Sequence, residues 1–180
     1  MEILASGVAN YFLKKSWKER CITGSKLNSL VYIANGWCLA ATGKGITDDV
    51  PIAERFGPII PSVHHQVRRY FRSPVLSSLV ELNEDWEPLT VKPPNDKTVI
   101  FLLNYVWTIY RPYSSHDLIE MTTEKGTPWM YTRDYGRSKQ IPDKVLKAYY
   151  KREIRGLLGR VEARKNKCVP TSWWRRLWRF

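Results

Sequence analysis

The sequence predicts a mainly α-helical domain, and two observations carry that reading. Apolar residues recur at three- and four-residue steps in several separate segments, and most of those segments open on a capping residue or a proline. A third pattern limits any sheet: short apolar pieces broken by Asp48, Asp49, Pro51, Gly57 and Pro58 are confined to residues 46–60.

Taken in order, residues 3–15 form a first helix, with Val8, Phe12 and Leu13 on one face. Thr23 caps a second helix whose stripe is Leu27, Leu30, Val31, Ala34, Trp37 and Cys38. Gly43 and Gly45 end it. After the extended segment, Pro61 takes the first position of a third helix with Val63, Val67, Tyr70 and Phe71 inward and Arg68, Arg69 and Arg72 outward. A short helix is expected around residues 74–80, then a loop. Asp96 caps residues 99–110, which are apolar on nearly every side and so read as the buried axis of the core. Ser114 and Asp117 have capping-box spacing, and Thr127-Pro128-Trp129 is a further helix start. Pro142 opens the last long helix, with Leu146, Tyr150, Ile154, Leu158 and Val161 in line and Gly156 and Gly159 weakening its middle.

A chain of 180 residues with 43% hydrophobic content fits one core and an appendage, here residues 1–161 as the domain and 162–180 as a tail. Aromatic content of 13% argues against disorder over most of the length. The net charge of +12 is uneven: residues 1–136 hold 15 Lys and Arg against 14 Asp and Glu, while residues 137–180 hold 14 against 3. A basic last quarter suits an anionic partner, or simply a solvated helix face. Cys21, Cys38 and Cys168 are too far apart for a ligand set and read as reduced thiols. With no signal-like start and no run of about 18 apolar residues, the expected compartment is the cytoplasm.

Candidate chemistry is sparse. His64 and His65 project about 100° apart on a helix and so do not chelate one metal easily. Gly43-Lys44 lacks the glycine spacing and the following Ser or Thr of a phosphate loop, and helix termination explains it. His116, Asp117 and Glu120, with Ser114 or Ser115 as nucleophile, could move protons, but capping accounts for the same residues. A non-enzymatic protein with no cofactor and no metal is expected.

The tail is the least ordinary feature. Trp173, Trp174, Trp178 and Phe180 alternate with Arg175, Arg176 and Arg179, and Leu177 lies between. Such residues dominate protein interfaces, so they are the candidate partner-binding set. Packing on the chain's own domain, stacking on single-stranded nucleic acid and lying in a membrane interface compete with that reading.

The second helix, with Lys26-Leu27, Leu30-Val31-Tyr32-Ile33-Ala34 and Gly36, resembles that of the Panacea family of antitoxin domains. The resemblance continues through Phe56-Gly57-Pro58-Ile59-Ile60-Pro61, similar to the family's Gly-Pro turn before a helix, then Leu118 to Thr122, then Pro128-Trp129, over about residues 3–135. It implies a bacterial or phage-encoded antitoxin that binds and neutralises a protein toxin encoded beside it. Family members pair with unrelated toxins, including alarmone-synthetase-like inhibitors of translation, and one relative resembles an adaptor that delivers its toxin to a protease. The shared motif residues, Lys26, Leu27, Tyr32, Gly36, Gly57, Pro58, Pro61 and Trp129, read as structural, with Gly57-Pro58 fixing a turn and Trp129 locking a helix start. An accessory nucleic-acid-binding protein using residues 152–167 and the tail is the alternative.

Overall fold

One helix forms the centre and the others pack around it. The structure, a computed structural model, describes residues 4–17, 22–47, 49–70, 72–133 and 139–164. The central helix is α2 (Gly24–Thr42). Its N-terminus is capped by the Thr23 hydroxyl, which accepts from the Lys26 N–H at 3.2 Å. Its C-terminus closes on Gly43 at φ +83°, where the Gly43 N–H reaches the Leu39 carbonyl.

Every α2 residue from Lys26 to Ala40 is buried. Around it lie α1 (Ala5–Ser16), α3 (Pro61–Val67), α4 (Lys97–Tyr110), α5 (Ser115–Thr123) and α7 (Asp143–Arg164). This corrects the expectation that residues 99–110 are the axis. Only Leu102, Leu103, Val106 and Trp107 of α4 are buried, while Ile100, Phe101, Tyr105 and Ile109 remain half-exposed. The polar residues of α2 hid its position, because Lys26, Asn28 and Asn35 are buried against partners within the protein rather than against water. Lys26, for instance, runs its stem through the core and donates from Nζ to the Arg111 carbonyl at 2.7 Å, at the electronegative end of α4.

The α2–α7 contact depends on a missing side chain. At Gly36 a Cβ would overlap the Tyr150 ring, so the helix meets α7 through bare backbone at that step. Leu146, Tyr150 and Ile154 form the buried stripe of α7, as the spacing predicts. The helix passes through Gly156 and Gly159 without ending, and the side chains of Leu158 and Val161 lie outside the described residues.

The expected caps are present at Asp96, which accepts from the Thr98 and Val99 N–H groups, and at Ser114 with Asp117, a complete capping box. Thr127 accepts from the Met130 N–H ahead of α6 (Pro128–Arg133). In α3, Pro61 stands in the first turn and the helix tightens to a 3-10 turn at Arg68–Tyr70. Phe71, expected on its inward face, lies outside the described residues.

Residues 46–60 do supply the larger sheet. β1 (Ile52–Glu54) pairs antiparallel with β2 (Gly57–Ile59), with Ala53 opposite Pro58, and its other edge takes β5 (Lys139–Gln140). The helix expected around residues 74–80 is absent. The Val75 N–H goes to the Ile22 carbonyl, Leu79 N–H to Asn10 Oδ1 and Val80 N–H to Gln66 Oε1, so the donors a helical turn requires are committed elsewhere. The chain instead enters a hairpin of β3 (Val80–Leu82) and β4 (Pro88–Thr90). Asn10 holds its root, its amide donating to the Leu79 and Val91 carbonyls at 2.9 and 2.8 Å.

Candidate protein-binding site

The β1–β2 hairpin is anchored from two sides. From α2, Asn28 donates to the Pro58 carbonyl and accepts from the Ile60 N–H, both at 3.0 Å, so one buried amide acts as a neighbouring strand. From α6, Trp129 Nε1 donates to the Glu54 carbonyl at 2.7 Å, and the Arg133 guanidinium lies over the Trp129 ring. Gly57 at φ +133° permits the tight return that a side chain would strain. Asp49, just ahead of the hairpin, accepts from both the Ser62 N–H and its hydroxyl at the start of α3 beyond it.

That construction pushes the connecting residues outward. Phe56 is 74% exposed, with the Arg55 guanidinium 5.2 Å from its ring centre. Beside them opens a cleft of about 680 Å³. Gly24, Asn28 and Ser29 of α2 form its floor, Pro58, Ile59, Val67, Ile119 and Thr122 its walls, and Arg55, Phe56, Arg68, Arg72, His64 and Glu54 its rim. At Gly24 a Cβ would stand 2.5 Å from the Val67 carbonyl oxygen, so glycine allows α3 to close against α2 there.

Three guanidinium groups against one carboxylate give the rim a positive field. Partial burial holds the His64 imidazole below its ordinary value, and neighbouring Arg68 and His65 act in the same direction against Glu54. His64 is therefore neutral at pH 7 and contributes a hydrogen-bonding edge rather than charge.

The motif residues divide by role. Lys26, Leu27, Tyr32 and Gly36 are buried along α2 and build the axis, whereas Gly57 and Pro58 line the cleft, with Pro61 and Trp129 supporting it. Trp173, Trp174, Arg175, Arg176, Leu177, Trp178, Arg179 and Phe180 lie outside the described residues, as do Cys21 and Cys168. Cys38 is buried, and desolvation raises its thiol pKa. His116 is exposed on α5 and is not among the residues lining the cleft. No three His, Cys, Asp or Glu side chains gather as a metal set among the described residues. No described helix is long and apolar enough to cross a membrane.

Sequence reasoning did not single out Asn28 or Phe56 as site residues. The basic outer face of the third helix was the available signal, since Arg68 and Arg72 both reach the rim.

Fold and cleft together describe a helical domain wound around one buried helix, with a Gly-Pro hairpin clamped against that helix near its start. The family description "Antitoxin SocA-like, Panacea domain" matches residues 27–130, which take in most of the central helix, the hairpin and most of the cleft, and the chain belongs to this family. No curated protein and no solved structure matches it.

Proposed function

We propose that the chain is an antitoxin that neutralises a cognate protein toxin by direct complex formation, without catalysis of its own. The observation that carries this reading is the cleft: an apolar-walled groove with an exposed phenylalanine and a guanidinium rim, mostly inside the part of the chain that defines an antitoxin family. An aromatic anchor ringed by arginines is the composition of interface hot spots, and it suits a toxin segment bearing carboxylates and one apolar side chain. The basic face of α7 and the Trp/Arg residues of 173–180 extend the contact to a second part of the toxin, blocking or distorting its active site. Members of the resembled family pair with unrelated toxins, of which an alarmone-synthetase-like inhibitor of translation is one candidate for this chain.

Expressing the protein encoded beside this chain, alone and together with it, tests the reading. Growth arrest relieved by co-expression, with the two proteins eluting as one complex, is the expected result; persistent arrest and separate elution refute it. Deleting Ser172–Phe180 should weaken the complex at least tenfold by calorimetry, and unchanged affinity removes the tail from the interface.

The nucleic-acid alternative has one observation in its favour, the row of exposed side chains Lys144, Arg152 and Arg155 on α7. A filter-binding titration with single- and double-stranded nucleic acid separates the two, because phosphate contacts give a steep fall of affinity with salt.

A further inference from the structure

The β3–β4 hairpin is the least self-sufficient part of the body. A two-stranded ribbon is marginal in water unless something covers it, and this one is held by Asn10 and Gln66 at its root and by a Ser6 hydroxyl that donates to Glu81 in β3. Beyond the root it exposes large apolar side chains: Leu82 at 58%, Leu89 at 55% and Trp86 at 80%.

Trp86 also adopts φ +63°, the sole positive φ of any non-glycine residue described. Bulky side chains rarely enter that region, and strain of this kind persists where the surrounding structure imposes it. Here the imposing group is Asn83, whose side chain accepts from the Asp85 and Glu87 N–H groups while its backbone pairs with Glu87 and Trp86. The indole is thus presented to solvent by a fixed turn. The same turn carries Glu84, Asp85 and Glu87, and residues 73–91 contain no lysine or arginine.

We propose that this hairpin is a second docking element, whose occupant is a cationic surface of the partner protein with an apolar pocket for the Trp86 ring. The charge is opposite to that of the cleft rim, so hairpin and cleft require patches of opposite sign and together fix the orientation of the partner. Arginine on the partner is the best-matched contact, since it meets carboxylates in pairs and stacks on indole. The inference rests on the antitoxin reading for the partner's identity, but the hairpin's chemistry is independent of it.

Panning a phage library of random 12-residue peptides on the full chain provides the test, with the winning peptides resynthesised for fluorescence polarisation. Cationic peptides carrying a bulky apolar residue are expected. Trp86→Gly and, separately, the triple variant Glu84→Gln, Asp85→Asn, Glu87→Gln should each weaken their binding at least tenfold, while Lys44→Glu at the far end of α2 leaves it unchanged. Neutral or acidic winners, winners indifferent to both hairpin variants, or no winners overturn the proposal. Binding that emerges only after residues 165–180 are removed assigns the hairpin to the chain's own tail, and self-association lost in Trp86→Gly assigns it to a second copy; either overturns a partner docked there. Hairpin variants that neutralise the toxin as fully as the unaltered chain sink this inference and leave the antitoxin reading standing, whereas failure of the unaltered chain to neutralise sinks that reading alone.

Discussion

Asn28 shows how one side chain positions the site. Its amide satisfies the Pro58 carbonyl of β2 and the N–H of Ile60 just after that strand, both of them buried. Replacing it with alanine orphans both groups, at roughly 1–3 kcal/mol each. Asn28→Ala should therefore lower unfolding free energy by about 2–6 kcal/mol in urea titration, with the loss of amide-exchange protection concentrated at Ile59 and Ile60. A loss under 1 kcal/mol would mean that water replaces the amide and that Asn28 does not hold the cleft wall. Such residues were not legible in the sequence. Asn10, Asn28 and Asn35 bond to groups far along the chain, with Asn35 accepting from the Ile46 N–H, and nothing in local spacing announces a partner 30 or 69 residues away. Caps were legible for the opposite reason: Thr23, Asp96, Ser114 and Thr127 each satisfy donors two or three positions on.

At the scale of elements, the α2–α7 contact depends on Gly36. An added methyl cannot fit beside Tyr150, so α7 must shift outward or the ring must leave its rotamer. Gly36→Ala should destabilise the protein by about 3 kcal/mol or more in thermal or urea unfolding, despite alanine's better helix propensity. Pairing it with Tyr150→Ala separates clash from propensity: the double variant should lose less than the sum of the singles, and strict additivity would deny the contact. The hairpin at residues 80–90 and the choice of axis are the two elements that local pattern misassigned. Residues 74–80 have no periodicity strong enough to oppose the clamp exerted by α1. The segment 99–110 is apolar on nearly every side yet lies in the outer layer, so hydrophobicity alone did not locate the centre. The long helix from Asp143 was readable because Leu146, Tyr150 and Ile154 repeat at four-residue steps and all are buried.

For the whole molecule, the described surface has two faces of opposite character: a cleft with a cationic rim and a protruding Phe56, and an anionic hairpin with a protruding Trp86. The body is nearly neutral in sum, with 15 Lys and Arg against 14 Asp and Glu over residues 1–136. Folding separates the signs, which no count of charges can display, because Arg68 and Arg72 join Arg55 across the turn while the carboxylates of 81–87 collect on one ribbon. The Panacea motif conveyed the architecture through its glycines and prolines, whereas the surfaces that meet a partner are built by the side chains between them.

The measurement that bears most directly on the central claim is calorimetric titration of the toxin encoded beside this chain into the full-length chain and into a Phe56→Ser, Arg68→Glu variant. Both positions are exposed, so the variant should keep its fold and melting temperature. If the cleft grips the toxin, affinity falls at least a hundredfold, about 2.7 kcal/mol, and neutralisation in cells is lost with it. Undiminished affinity in a correctly folded variant would contradict the account and move the interface away from the cleft.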